Sequence, residues 1–261
     1  MNESSNVTPL LTPANRRRFP PYCPPVECTA CTLLALCRMA GLGVDERRLA
    51  DTVGRRRPVA RGAEVRPRRV RSVVAVRSGA LKSEMLRPGG EPQIVAFHLP
   101  GELVSLPAAD EAGEPELRTV ALMPSEVCEL PVQELHGFDA EESARFHLRL
   151  AQEATGALLA AQRTLAWTRS EGAEARLAGF LLDIAARFAS RDLPAQAFRL
   201  PMPRRDIANF LGLAEETVCR LFRRFHVRGW IAVSGKRIVI RDPSRLRAVA
   251  AGAAPREGDR G

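Results

Sequence analysis

Four of the chain's six cysteines, Cys23, Cys28, Cys31 and Cys37, fall in the stretch CPPVECTACTLLALC, while Cys128 and Cys219 stand far downstream. Thiols at this density can form disulfides, hold a metal or carry out redox chemistry. The N-terminus, MNESSNVTPLLTPANRRRFPP, has no apolar segment ahead of its basic run and does not read as a secretory signal. No stretch approaches the roughly 18 unbroken apolar residues of a membrane span. A soluble cytoplasmic protein with no membrane partner is therefore expected, and in a reducing compartment stable disulfides are disfavoured. Metal binding or redox work remains. A redox dithiol at Cys28-x-x-Cys31, the mark of a thiol oxidoreductase, lacks the βαβ surroundings that such a motif needs. Four thiolates suit an iron–sulfur cluster or tetrahedral zinc, and spacing alone does not separate the two. The histidines, His98, His136, His147 and His226, show neither metal-ligand nor triad spacing.

The second chemistry-bearing feature is positive charge. The 261-residue chain carries a formal net charge of +9, nearly all of it from arginine, since Lys82 and Lys236 are its only lysines. An excess of this size points to an anionic partner, nucleic acid first. Between Arg204 and Arg241 nine basic residues face three acids, so this segment alone carries +6. It reads RRDIANFLGLAEETVCRLFRRF and then GWIAVSGKRIVIRD. Ile207, Ala208 and Leu211 form the inward face of a short helix. Gly212 supplies the tight turn, and Glu215 and Glu216 open a second helix where its dipole favours acids. Val218, Leu221 and Phe222 face inward there, leaving Thr217, Arg220, Arg223 and Arg224 outward. Two alternating strands joined by Ser234-Gly235-Lys236 make a hairpin wing with a lysine at its tip. Helix spacing, wing and charge coincide, as double-stranded DNA binding requires. A second basic run, RRRPVARGAEVRPRRVR, reads as a solvated strand face, with contact to an acidic protein partner as the alternative.

The remaining chain must position these groups. From about Arg55 to Leu135 short alternating runs are broken by turn residues: VRSVVAVRSG, LKSEML, PQIVAFHLPGELVSL and LRTVALMPSEVCELP, with Arg87-Pro88-Gly89-Gly90 as a hairpin turn. Short strands at this spacing indicate a sandwich or barrel. From Asp139 to Arg169 there is no proline and one glycine, Gly156. Leu148, Ala151, Thr155, Leu158, Gln162 and Leu165 repeat at spacings of three and four, the seam of a long helix. At about 1.5 Å per residue such a helix runs roughly 45 Å. A small β domain cannot cover that length, so pairing with a second copy is expected. The seam carries no acid near Ala160 and Ala161 to repel its twin. A second amphipathic helix follows, with Leu177, Phe180, Leu181, Ile184 and Phe188 on one side.

RDIANFLGLAEETVCRLFRRF with GWIAVSGKRIVI resembles the DNA-binding end of the cyclic AMP receptor protein superfamily, and most resembles its branch of the fumarate and nitrate reduction regulator, FNR. VRSGALKSEM, PQIVAFHLPGELVSL and the helix before ARLAGFLLDIAARF are similar to that branch too. The resemblance covers about residues 23–250 and implies an α+β chain. Its expected parts are a disordered tail (1–22), a cysteine-bearing cluster-binding segment (23–42), a β-roll sensor domain of jelly-roll, cyclic-nucleotide-binding-like form (43–136), a dimerisation helix (137–170), a winged helix-turn-helix (171–250) and a second tail (251–261). The resemblance implies a [4Fe–4S] cluster held by Cys28, Cys31, Cys37 and Cys128, with Cys23 outside the pattern. It implies an oxygen-responsive transcription regulator that reads palindromic TTGAT-type sites as a homodimer, with RNA polymerase as a further partner and no enzymatic activity. Glu216, Thr217, Cys219, Arg220, Arg223, Arg224 and Lys236 are then the DNA-contacting set. Glu216 can accept from a cytosine amino group and Arg220 can fork onto a guanine. Cys219 stands where the family has serine. Gly101-Glu102-Leu103 resembles the ribose-binding piece of a cyclic-nucleotide pocket, which keeps a nucleotide-responsive regulator as an alternative. The acidic PAADEAGEPEL that follows would repel a phosphate.

Overall fold

Short runs in which apolar residues alternate with polar ones build two facing sheets between Arg56 and Pro131. The computed structural model describes residues 25, 56–67, 72–86, 90–104, 117–131, 140–170 and 172–252. β1 (Arg56–Val59), β7 (Ser125–Pro131), β2 (Ser72–Ser78) and β5 (Leu103–Val104) lie side by side in that order. β4 (Gln93–His98), β3 (Leu81–Met85) and β6 (Leu117–Ala121) make the second sheet. All the strand pairs are antiparallel. Val59, Val65, Val74, Val76, Leu81, Val104, Ala121 and Val127 fill the space between the sheets. The two longest strand-like runs each split in two. PQIVAFHLPGELVSL breaks at Pro100-Gly101, where Gly101 takes φ +85°, and LRTVALMPSEVCELP breaks at Leu122–Pro124. The hairpin between β3 and β4 forms as expected, although its turn residues 87–89 lie outside the described residues.

α1 (Ala140–Thr168) is the long helix that the seam spacing predicts. α2 (Ala173–Ala189) buries all five residues of its apolar stripe, Leu177, Phe180, Leu181, Ile184 and Phe188. The two helices approach closely at one point. A Cβ on Gly179 would sit 3.0 Å from the Trp167 Cβ, so glycine is what admits the indole.

β8 (Ala197–Arg199), α3 (Arg204–Leu211), α4 (Glu215–Val227), β9 (Ile231–Ser234), β10 (Arg237–Ile240) and α5 (Pro243–Ala250) complete the described chain. The wing is a three-stranded sheet, β8-β10-β9, rather than a bare hairpin. β8 and α5 go beyond the sequence expectation. The start of α5 is set by the Asp242 carboxylate, which accepts from the Arg245 N–H at 2.9 Å, and by Pro243 at the first helical position.

A second core joins the halves. Ile94, Phe97 and Leu99 of the β-roll pack with Phe180, Leu181, Ile207, Leu221, Phe225 and Trp230. Four rings from four elements meet there. Phe97 (β4) lies 5.0 Å from Phe210 (α3), Phe210 lies 5.9 Å from Trp167 (α1), and Phe180 (α2) lies 6.2 Å from Phe97. Such edge-to-face arrangements favour contact between ring edge and ring face beyond simple burial.

Candidate functional site

The turn between α3 and α4 is closed by Gly212 at φ 62°, ψ 42°, the left-handed cap that a residue without Cβ adopts freely. The Leu213 N–H reaches back to the Ala208 carbonyl at 2.9 Å. α4 then presents two faces. Val218, Leu221, Phe222 and Phe225 are buried. Glu216, Cys219, Arg220 and Arg223 are exposed. At about 100° per residue they form one outward stripe. Glu215 and Glu216 occupy the first turn, and Arg224 and His226 the last, which matches the helix dipole at both ends.

Within the stripe, Arg220 lies 3.5 Å from the Glu216 carboxylate and 3.4 Å from the Thr217 hydroxyl. The acceptor and donor expected to read bases thus lie side by side on the exposed stripe. Arg224 sits on the flank. Its guanidinium lies 2.5 Å from Glu174 of α2, and Arg228 approaches the same carboxylate at 3.6 Å. Lys236 lies at the exposed wing tip and its ammonium donates to the Pro201 carbonyl at 3.1 Å. Arg204 stacks over the Phe222 ring at 3.4 Å and donates to the Gly235 carbonyl at 3.3 Å. Burial lowers its pKa to about 10, so it stays charged at neutral pH. Arg204 entered the sequence reading only as charge. Its ring partner eighteen residues on left no local signal, and neither did the Glu174 anchor.

The cysteines divide by position. Cys128 lies in β7, paired with Arg56 of β1 and Ala75 of β2. Its neighbour Val127 is fully buried in the inter-sheet core, so strand alternation turns the half-buried Cys128 to the outer face. That face holds the small Ala75 alongside and the Arg77–Glu126 ion pair, 2.6 Å, two residues away. Cys219 is exposed on the α4 stripe. Cys23, Cys28, Cys31 and Cys37 lie outside the described residues. Among the described residues no group of three or more His, Cys, Asp and Glu side chains converges on one point.

The six seam residues are all exposed along α1. Leu148 is 61%, Leu158 59% and Leu165 55% exposed, and Ala151, Thr155 and Gln162 are exposed with them. No helix among the described residues is long and apolar enough to cross a membrane.

A family model described as a Crp-like helix-turn-helix domain matches residues 175–249. The chain is 37% identical over 232 residues to the transcriptional activator protein Anr of Pseudomonas aeruginosa, covering 88% of this chain and 94% of that one. It is 33% identical to the fumarate and nitrate reduction regulatory protein of Salmonella typhimurium, covering 86% of this chain and 90% of that one. The chain belongs to the FNR branch of the cyclic AMP receptor protein superfamily. Among solved structures, FixK2 from Bradyrhizobium japonicum aligns with a TM-score of 0.60 and 30% identity over 76% of this chain and 98% of that one. The Thermus thermophilus regulator TTHB099 shares the fold at a TM-score of 0.54 and 20% identity.

As an FNR-branch transcription regulator, the chain uses α3, α4 and the wing as its DNA-binding helix-turn-helix. The piece that resembles a ribose site is occupied from within. Glu102 accepts from Arg187 of α2 through both oxygens and from the Leu99 N–H at 2.9 Å. The basic–hydroxyl pair Arg118-Thr119 of β6, the type of pair that a phosphate would need, is engaged too: Arg118 pairs with Glu84 at 2.9 Å and the Thr119 hydroxyl shares a 2.7 Å hydrogen bond with Ser83. Groups that could otherwise receive a ribose or a phosphate are therefore committed to the protein's own side chains.

Proposed function

We propose that this regulator is a homodimer that reads palindromic TTGAT-type DNA sites and does so in response to oxygen through a [4Fe–4S] cluster. The observation that carries the reading is the uncovered seam of α1. Three leucines on one helix stripe are more than half exposed, with no cover from the described residues of a single chain. A parallel second copy would bury them and set two reading helices on one side of the pair. A dimer of helix-turn-helix units contacts two half-sites about one DNA turn, roughly 34 Å, apart, whereas a lone chain contacts one.

On the DNA, Glu216 accepts from a cytosine amino group and Arg220 donates in a fork to a guanine, each worth about 1–3 kcal/mol of base discrimination. Arg223 and Lys236 neutralise phosphate charge. Cys219, with a weaker donor than serine, changes the preference at the base it faces. RNA polymerase is the partner that a transcription activator of this branch engages.

Cys28, Cys31, Cys37 and Cys128 would hold the cluster. The outer-face position of the Cys128 thiol suits this role, since a ligand buried between the sheets could not be shared with a leading segment. Across the sheet it is paired in register with the small Ala75 on one side and with Arg56 on the other. When bound, the cluster supplies an oxygen-labile centre that ties the leading segment to the β-roll. The chain's own part is to convert that tie into pairing at the α1 seam, where a bias of a few kcal/mol switches occupancy strongly.

The test is fluorescence anisotropy on a labelled palindromic TTGAT duplex, with anaerobically prepared protein before and after exposure to air. The expected result is two chains per duplex without air and an affinity loss of about tenfold or more after it. Equal affinity under both conditions would refute the oxygen response.

A further inference from the structure

Among the described residues β4 is the last strand of its sheet, and no described strand pairs with its outer backbone groups. An exposed edge of this kind is normally covered or blunted. Here side chains cover it: Arg187 of α2 donates to the Phe97 carbonyl, and Asn209 reaches over from the helix-turn-helix. The Asn209 carboxamide of α3 accepts from the Ile94 N–H at 2.7 Å and donates to the Pro92 carbonyl at 3.0 Å. It thereby fills both positions that a neighbouring strand's peptide group would take. The Gln93 side chain returns the contact, donating to the Asn209 carbonyl at 2.7 Å.

One helical turn earlier, Asp206 is also engaged by the β-roll. The residue is 5% exposed, and its carboxylate lies 3.3 Å from the Lys82 ammonium of β3, which holds Glu84 at 2.6 Å. Phe210 sets its ring 5.0 Å from Phe97 of β4. Six residues of α3 thus face two sides. Ile207, Ala208 and Leu211 are buried in the core shared with α4, while Asp206, Asn209 and Phe210 grip the β3–β4 hairpin. None of these grips involves the Glu216–Arg223 stripe, which stays exposed.

We infer that Asp206 and Asn209 are positioning residues: they fasten the first helix of the DNA-binding unit to the β3–β4 hairpin, so that the reading helix is aimed by the β-roll. The consequence rests on the DNA reading above. A palindromic site must be met by two reading helices at once, and fixing each in advance removes an ordering cost at binding. A single half-site makes no such demand. Loosening the latch therefore weakens binding to two half-sites and spares binding to one. Loss of helix-turn-helix integrity would weaken both.

The experiment uses the full chain, prepared without air, as wild type, Asn209→Ala and Gln93→Ala. Anisotropy is measured at about 50 mM salt, where phosphate contacts keep weak complexes measurable, on one duplex with both half-sites and one with a single half-site. Each variant is expected to lose about tenfold on the two-half-site duplex and less than about twofold on the other. Gln93→Ala removes the contact from the β-roll side, so it decides the matter should Asn209→Ala disturb α3 itself. Equal losses of Gln93→Ala on both duplexes, or no loss on either, would overturn the inference. A wild type that binds neither duplex would refute the DNA reading and this inference together. A wild type that prefers two half-sites beside variants that match it refutes this inference alone.

Discussion

Glu102 and Arg187 form a two-pronged ion pair between the β-roll and α2, with Nη2 to Oε2 at 2.5 Å and Nε to Oε1 at 2.7 Å. Arg187 also donates to the Phe97 carbonyl at 2.5 Å and to Asp183 at 3.2 Å. Burial pushes the Glu102 carboxyl up, but the charge and hydrogen bonds of Arg187 outweigh it and hold the group below its ordinary range. Removing one partner strands the other charge. Arg187→Met should lower unfolding stability by roughly 2–4 kcal/mol, read by urea denaturation. Adding cyclic AMP or cyclic GMP at millimolar concentration should leave DNA affinity unchanged, as measured by anisotropy. A nucleotide-dependent rise in affinity would restore the alternative that Gly101-Glu102-Leu103 suggested.

The buried polar cluster between the sheets predicts a pH dependence. His98 shares a 2.8 Å hydrogen bond with the Ser83 hydroxyl, and Ser83 bonds Thr119 at 2.7 Å. Burial lowers the His98 pKa from 6.5 to about 4, so the folded ring stays neutral. Between those values the unfolded chain binds the extra proton, and stability falls as pH falls. Thermal midpoints should drop from pH 6.5 toward pH 5, and the slope over that window should flatten in His98→Gln. An unchanged slope would show that His98 does not carry it.

Gly179→Ala isolates the α1–α2 crossing. Alanine in a helix normally gains up to about 1 kcal/mol over glycine. At this position the new Cβ would stand 3.0 Å from the Trp167 Cβ and 3.1 Å from its Cγ. The indole is held by Phe180 and Phe210 and has little room to yield. A net loss of roughly 1–2 kcal/mol is expected, as overpacked cores usually show. A stabilised variant would mean that the ring moves freely.

The α1 seam makes its own prediction. Leu158→Glu changes a residue 59% exposed in one chain, so the folded monomer should keep its thermal midpoint. Sedimentation velocity should find it monomeric at concentrations where wild type pairs, because the substitution would bury two like charges at the seam. A dimer of unchanged strength would place the interface elsewhere.

The parts of this architecture that rest on local periodicity were readable from the chain. The spacing of Leu148 to Leu165 predicts α1, and Ile207, Gly212 and Val218 predict the two helices and their turn. Alternation around Val74 and Val127 predicts strands, though not their partners. What the sequence withholds is long-range. Asn209 reads as an ordinary polar helix residue until β4 is seen to end its sheet among the described strands, and Glu174 gains meaning only when Arg224 swings back to it. Glu102 looked like a ligand-binding residue because Arg187, eighty-five positions away, left no trace near it. β8 is short and its partner β10 follows two helices later. The Asp242-Pro243 pair ahead of α5 was the one missed signal that was local.

The central claim is that three thiols of the leading segment and Cys128 of β7 together hold an iron–sulfur centre. Iron and acid-labile sulfide per chain, measured on anaerobically purified wild type and Cys128→Ala, test it most directly. The account predicts about four of each in wild type, as a four-iron cluster requires, and loss of most of both in the variant. Zinc in place of iron in the wild type, or iron retained in full by Cys128→Ala, would contradict it.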